Sequence, residues 1–270
     1  MNKLNIIINN PRNVANYEFG LSTLHAWIRF MECLLHIFNR LDFCKTAAIT
    51  EAQKEQVKAA KKKVSNGFKE KMGLIVDKPK YGHGSSNDGN TARRFFANCQ
   101  TTSKITGIDE KLIVKFSIIL QALASERAID PSKFEAFAFE TAQLYVSIYP
   151  WYYMPVTVHK ILLHGADVIC HFHIVFNRLN KQKNGVLFFL NRAHIAIGQL
   201  SEEAAEAQNK DFKRFRQYNT RKCSRLLTNE DIMHKLLISS DPYITSIRRS
   251  WIKKIKTIDP EAENLLKECV

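Results

Sequence analysis

Glu206 stands before a row of basic side chains in the segment Glu202–Gln217. At 3.6 residues per turn, one helix face carries a carboxylate followed by polar and cationic groups: Glu206, Lys210, Lys213, Arg214 and Gln217. Phe212 and Phe215 point elsewhere, and we expect them to lie in a core. Against DNA, such a carboxylate can hold a divalent metal while the cations fix the phosphate backbone. Spacing alone favours the ordinary alternative, an exposed helix whose Glu206–Lys210 ion pair contributes about 0.3 kcal/mol.

A second group of residues with phosphate-binding chemistry is the segment SSNDGNTARRFF. Its small residues allow a backbone to approach a phosphate closely, and Arg93 and Arg94 add two adjacent guanidinium groups. The structural alternative is a turn and helix cap at Asp88 to Asn90.

His159 and His164 form an H-x4-H pair whose spacing falls within that of structural zinc sites. Five residues on an ideal helix place the two side chains about 140° apart, so a shared metal requires a bent or ended helix. Ordinary packing is the competing interpretation.

The chain is strongly basic, with 40 Lys and Arg against 26 Asp and Glu and a formal net charge of +14. This excess predicts a polyanionic partner, with nucleic acid first because clustered cations displace counterions from phosphates. An anionic membrane surface is the second candidate partner. Charge alone does not distinguish DNA from RNA, and the alternative without a partner is a basic surface that only aids solubility.

The six cysteines are scattered without a C-x-x-C pair, which predicts reduced thiols inside the cell. The Asn-rich start has no long apolar stretch, which predicts no secretory signal. The longest uncharged run, Thr141 to His159, contains Pro150 and Pro155, so we interpret it as buried protein and expect no membrane span.

The apolar periodicity predicts a mainly α fold. A core helix is expected from Leu24 to Leu41, followed by an exposed basic helix from Thr50 to Met72 with Thr50 as its cap. Residues 77–90 are expected to form a loop. Further helices are predicted at Thr91–Phe96, Asp109–Glu126, Pro131–Tyr149, Val156–Ile169, Glu202–Gln217, Asn229–Ile238 and Pro242–Lys256.

The C-terminal segment resembles the last catalytic helix of Transib transposases and of the related V(D)J recombinase. Their pattern is Glu-x-x-Asn-Lys-x-Phe-(Lys or Arg)-Arg-Phe-Arg, and the matching residues are Glu206, Asn209, Lys210, Phe212, Lys213, Arg214, Phe215 and Arg216. Upstream of this helix, three further blocks occur in the order seen in Transib proteins: GLSTLHAWIRFMECLLHI, KPKYGHGSSNDGNTARRFF and VTVHKILLHGADVI. The resemblance runs from about Gly20 to Tyr243.

The resemblance implies the helical C-terminal portion of an RNase H-like DDE recombinase, with Glu206 as the third catalytic carboxylate and a ligand of Mg²⁺ or Mn²⁺. It also implies a nuclear protein whose partner is double-stranded DNA at transposon ends. The DNA contacts that it implies are Arg93, Arg94, Lys210, Lys213, Arg214 and Arg216. Related recombinases combine the H-x4-H pair with an upstream C-x-x-C in a zinc site, and this chain has no C-x-x-C.

The two catalytic aspartates of the family precede the matched region, so we expect a truncated or domesticated transposase fragment that binds DNA without cleaving it alone. The alternative is a non-catalytic partner or inhibitor of a full-length transposase. The protein partners to be expected are a second copy of the chain, in a dimer, or a full-length transposase. The expected organisation is a lead segment (1–20), a helical DNA-contacting region (21–149), an H-x4-H region (150–200) with an atypical insertion near 170–192, and a catalytic-Glu and basic region (201–270).

Overall fold

The mainly α architecture predicted from the sequence is confirmed by a computed structural model. It describes residues 21–48, 50–80, 84–125, 127–182, 203–241, 243–244 and 258–267. These residues fall into two compact units, the first within 21–182 and 258–267 and the second within 203–244. None of the described helices is long and apolar enough to cross a membrane.

The helices of the first unit are α1 (Thr23–Phe38), α2 (Glu51–Met72), α3 (Gly89–Ala97), α4 (Cys99–Thr106), α5 (Glu110–Ala124), α6 (Pro131–Ile148), α7 (Val156–Gln182) and α10 (Pro260–Asn264). Two short strands, β1 (Pro79–Lys80) and β2 (Gly84–Ser85), pair antiparallel with Pro79 opposite Ser85. The second unit contains α8 (Glu203–Tyr218) and α9 (Arg225–Ser240), which contact each other.

Helix α1 forms the centre of the first unit, because α3, α5 and α7 all pack against it. Its apolar residues recur every three or four positions, and Phe30, Leu34 and Leu35 have no exposed surface. The Phe30 ring meets Phe116 of α5 edge-on, with centroids 4.7 Å apart. A hydrophobic face of this kind is the main source of helix stability in a folded domain.

Side-chain caps fix the starts of the helices that the sequence predicts. Thr50 accepts a hydrogen bond from the backbone N–H of Gln53, and the Gln53 side chain accepts one from the N–H of Thr50, which completes a capping box for α2. Asp130 caps α6, whose first residue is Pro131, as the sequence predicts.

Three elements differ from the prediction. The expected loop at residues 77–90 contains the β1–β2 pair. Helix α4 is additional, because Asn98 caps its start and Gly107, at φ +67°, ends it. Helix α7 continues beyond Ile169 to Gln182, in a stretch without glycine or proline. Of the predicted insertion, 183–192 lies outside the described residues, as does most of the predicted helix at 242–256.

Residues 258–267 complete the core between α5 and α6. Ile129 and Leu266 form an antiparallel bridge, and the backbone N–H of Asp130 donates to the carbonyl of Leu265 at 2.9 Å. The N–H of Asp259 donates to the Gln121 side chain at 3.0 Å. These bonds attach α10 to the end of α5.

Helices α6 and α7 pack closely because Gly165 has no side chain. A Cβ atom added at Gly165 would lie 2.8 Å from Cε1 of Phe134, which is fully buried. Glycine in mid-helix costs about 1 kcal/mol relative to alanine, so close packing is the physical reason for its presence.

We expect Gly165→Ala to lower the free energy of unfolding by about 1 kcal/mol, because overpacking against Phe134 outweighs the gain in helix propensity. In a Phe134→Leu background no aromatic ring lies against position 165. The same substitution should then raise the free energy of unfolding, because only the gain in helix propensity remains. Urea unfolding of the four proteins measures both effects. A stabilising effect of Gly165→Ala in the native background would contradict this packing.

Candidate nucleic-acid interface

Helix α2 presents a row of lysines to solvent. It buries only Val64 and Phe68, and none of the side chains from Glu51 to Lys63 is buried. All seven of its lysines are exposed: Lys54, Lys58, Lys61, Lys62, Lys63, Lys69 and Lys71. The sequence therefore predicted both the helix and its exposed basic character.

Two of these lysines have carboxylate partners on the same helix. Lys54 lies 2.6 Å from Glu51, and Lys58 lies 2.6 Å from Glu55, in both cases on an exposed surface. Exposed pairs of this kind contribute about 0.2–1 kcal/mol and exchange readily for other anions. The other five lysines of α2 make no ion pair with a carboxylate in the described part of the chain.

Helical spacing aligns three of the lysines. Lys58, Lys62 and Lys69, which we term the α2 lysine stripe, follow one another at four and seven residues and so occupy one side of the helix, away from Val64 and Phe68. They span about 16 Å along the helix axis. Three ammonium groups spaced in this way can contact successive backbone phosphates.

The two predicted DNA-contacting arginines also perform structural tasks. The Arg93 guanidinium lies 5.9 Å from the centroid of the Trp27 ring, and partial burial lowers the pKa of Arg93. Arg94 is exposed, and its Nη2 donates to the carbonyl oxygen of Met72 at 2.7 Å. Arg94 therefore satisfies a carbonyl at the end of α2, where Gly73 adopts φ +60°.

The small-residue block before Arg93 is ordered by its own hydrogen bonds. The side chain of Asn87 accepts from the N–H of Asp77 and donates to its carboxylate, at 2.9 and 2.8 Å. Asp88 caps α3 by accepting from the N–H of Thr91. A Cβ atom on Gly89 would lie 2.4 Å from Leu24, so this glycine permits close packing on α1. The turn-and-cap interpretation of this block is confirmed for Asp88.

Helix α8 carries the predicted catalytic glutamate and its row of cations. Glu206 lies in the first part of the helix, and its side chain is outside the described part of the structure. Arg214 pairs with Asp211 at 3.1 Å, and its guanidinium lies 5.3 Å from the centroid of the Phe215 ring. The basic side chains of this helix are all exposed: Lys210, Lys213, Arg214 and Arg216.

The prediction that Phe212 and Phe215 lie in a core is wrong. Phe212 is 41% exposed, and Phe215 is only partly buried. Among the described side chains of the second unit, Ile232 alone is buried. Helix α9 also exposes four large apolar side chains: Leu226, Met233, Leu237 and Ile238.

An ion pair that sequence patterns did not indicate closes the turn between α8 and α9. The Arg221 guanidinium contacts both carboxylate oxygens of Asp231, with its shortest hydrogen bond at 2.8 Å, and the Arg221 N–H also donates to this carboxylate. These hydrogen bonds raise the pKa of Arg221 and lower that of Asp231. Arg221, a basic residue that follows the predicted DNA contacts of α8, thus has an internal partner.

His159 and His164 meet although helix α7 continues through both residues. Their ring centroids lie 5.1 Å apart at an interplanar angle of 60° on a continuous helix. Rotation about the side-chain bonds brings the rings together across the helix surface. Burial, and then the neighbouring His164, lower the pKa of His159.

Metal binding needs more ligands than this pair provides. A structural zinc site takes four ligands, of which two histidines supply half. In the described part of the chain, no group of three or more His, Cys, Asp and Glu side chains is arranged to hold a metal ion. The described residues thus form neither a complete zinc site nor the carboxylate cluster of a two-metal site.

The uncharged run from Thr141 to His159 is less buried than its composition predicts. Tyr145 and Tyr152 lie in the core, but Tyr153 is 64% exposed and Val156 is 84% exposed. Both exposed residues flank Pro155, where the chain turns from α6 into α7. The two prolines of this run could have indicated a surface turn.

Comparison with protein-family models and with curated proteins found no match to this chain.

We expect Arg94→Ala to lower the free energy of unfolding by about 1 kcal/mol, because it leaves the Met72 carbonyl at the end of α2 without its charged donor. Lys104→Ala is the matched control, since Lys104 is an exposed cation of α4 without an ion pair in the described structure. Thermal unfolding followed by circular dichroism measures the difference. Equal stability of the two variants would contradict a capping role for Arg94.

Stability should decrease as the pH falls below about 6.5, the ordinary pKa of histidine. His159 has a lowered pKa in the folded protein, so the unfolded chain takes up the proton first and is favoured as the pH falls toward the folded pKa. His159→Gln should show a shallower loss between pH 7 and pH 5 in urea unfolding. An identical pH dependence in this variant would rule out His159 as a contributor.

Proposed function

We propose that this chain binds double-stranded DNA through its phosphate backbone, as a region of a Transib-like transposase. The observation that carries the proposal is the α2 lysine stripe, three aligned and exposed ammonium groups on a helix that buries only two side chains. A surface of this kind has no role in the core of the first unit. Its chemistry suits a regularly spaced polyanion.

The overall charge supports the same conclusion. The excess of 14 basic over acidic residues is large for a chain of 270 residues, and the described ion pairs neutralise few of the cations. Each lysine that contacts a phosphate releases condensed counterions, which gives affinity without sequence recognition. Binding that depends on the backbone in this way should fall steeply with salt concentration.

Helix α8 adds a second set of cations. Lys210, Lys213 and Arg216 are exposed and make no ion pair in the described structure, whereas Arg214 pairs with Asp211. Under the proposal, Lys210, Lys213 and Arg216 contact phosphates, and Arg214 does so by exchanging its exposed partner.

The resemblance also assigns a catalytic role to Glu206. By its resemblance to Transib proteins, Glu206 is proposed as the third carboxylate of a DDE site, in which Mg²⁺ or Mn²⁺ activates the attacking water and stabilises the leaving oxygen. Among the described side chains, no group of three or more His, Cys, Asp and Glu is arranged to hold a metal ion. The activity proposed for this chain is DNA binding.

We expect the full chain to bind a duplex of about 30 base pairs with an affinity that falls linearly on a log–log plot against salt. The triple variant Lys58→Ala, Lys62→Ala and Lys69→Ala should reduce the magnitude of this slope by up to about 2.7, or about 0.9 per lost phosphate contact. Fluorescence anisotropy at several salt concentrations provides the measurement.

The matched control removes three exposed lysines from other helices of the first unit: Lys104→Ala, Lys111→Ala and Lys133→Ala. It has the same net charge as the α2 variant and should retain most of the salt dependence. An equal loss in both variants would show general charge attraction without a role for the stripe. Failure of the native chain to bind duplex DNA would overturn the proposed function.

A further inference from the structure

Ser224 lies in an exposed turn between α8 and α9, and two cations come shortly before it. It follows Arg221, Lys222 and Cys223 and stands directly before the first residue of α9. The side chains of residues 221–226 are all exposed. Serine kinases that prefer basic substrates pair their own carboxylates with cations two and three residues before the serine. Ser224 has a lysine and an arginine at those two positions.

The turn that carries Ser224 can open at little cost to the second unit. Arg221 closes it through an exposed hydrogen bond to Asp231 at 2.8 Å, and Lys222 adopts a left-handed φ of +56° that favours glycine. Among the described side chains of this unit, Ile232 alone is buried. Segments with few buried contacts open locally with a small free energy. A kinase can therefore draw residues 221–224 into an extended conformation.

A serine with similar preceding charges shows what the turn contributes. Ser65 follows Lys62 and Lys63 at the same spacing, but it lies within α2 and is partly buried. It directly follows Val64, which has no exposed surface. Extending the chain at Ser65 would break α2 where the helix packs on the core, so we expect Ser65 to be a poor kinase substrate.

We propose that Ser224 is phosphorylated by a serine kinase that recognises basic substrates, and that this modification weakens DNA binding by the second unit. In the reaction, Oγ of Ser224 attacks the γ-phosphorus of ATP and the bond from this phosphorus to the β,γ-bridging oxygen breaks. ADP leaves, and the hydroxyl proton passes to a base of the kinase. The modification concerns the chain alone, whereas its effect rests on the proposed DNA binding.

A phosphate on Ser224 would meet cations on both sides. Lys222 and Arg225 flank the serine, and neither makes an ion pair in the part of the chain that the structure describes. Oγ of Ser224 already accepts a hydrogen bond from the N–H of Leu227 at 3.2 Å. Pairing with the phosphate withdraws the two cations from DNA and adds about two negative charges beside the basic helix α8.

We expect a basophilic kinase, the catalytic subunit of the cyclic-AMP-dependent protein kinase, to phosphorylate the full chain at Ser224 with ATP. Peptide mapping by mass spectrometry locates the phosphate in the native chain, without any variant. Arg221→Ala should slow the incorporation by about tenfold, the effect of losing one charge-assisted contact with the kinase. Phosphate on other residues, with none on Ser224, would overturn the site.

Asp231→Asn tests the opening of the turn. Loss of this carboxylate weakens the bond to Arg221 and should raise the initial rate of Ser224 phosphorylation by about two- to fivefold, the effect of losing one exposed ion pair. Glu261→Gln removes an exposed carboxylate of the first unit and is the matched control. A rate in Asp231→Asn no higher than in this control would overturn opening of the turn as the step that gives the kinase access.

Fluorescence anisotropy then compares the phosphorylated and the untreated chain on the same duplex. Phosphorylation should weaken binding by about tenfold, as expected for the loss of two phosphate contacts. Ser224→Ala, treated with the kinase in the same way, should keep the affinity of its own untreated form. Unchanged affinity of the native chain after phosphorylation of Ser224 would overturn the regulatory effect. Absence of DNA binding by the untreated chain would overturn the proposed function and leave the phosphorylation site standing.

Discussion

The burial of α1 is the constraint on which the rest of the first unit depends. Phe30, Leu34 and Leu35 are fully enclosed by helices that come from distant parts of the chain, so these helices must pack around α1 before any surface is defined. Burying each such side chain contributes about 1.5–3 kcal/mol. The positions of Arg93 on Trp27 and of the Tyr145 hydroxyl beside Cys33 both follow from this helix.

The structure divides the basic residues into two groups that composition cannot distinguish. Arg94 and Arg221 bond to groups of the protein itself, the Met72 carbonyl and the Asp231 carboxylate. The lysines of the α2 stripe are exposed on a helix that buries none of them, and Lys58 pairs only with the exposed Glu55 of the same helix. Arginine suits bonding to fixed groups of the protein because its planar guanidinium makes several directed hydrogen bonds. Lysine carries a compact charge on a flexible side chain, which suits mobile contacts with phosphates.

Local patterns predicted the elements whose signals lie within a few residues. Thr50, Asp130 with Pro131, and the apolar face of α1 specify their helices directly. Long-range contacts were not predictable in this way. The exposure of Phe212 and the hydrogen bond from the Tyr145 hydroxyl to the Tyr153 carbonyl are two examples. Neither arrangement leaves a periodic signal in the sequence.

Helix α2 is attached to the first unit through its C-terminal half. Val64, Phe68 and the Arg94 bond to Met72 hold this half, while residues 51–63 form an N-terminal half without a buried side chain. Bending of the N-terminal half removes no buried side chain from the core. This half should accordingly tolerate any substitution that preserves helix propensity and charge, whereas Val64 and Phe68 of the C-terminal half should tolerate very few.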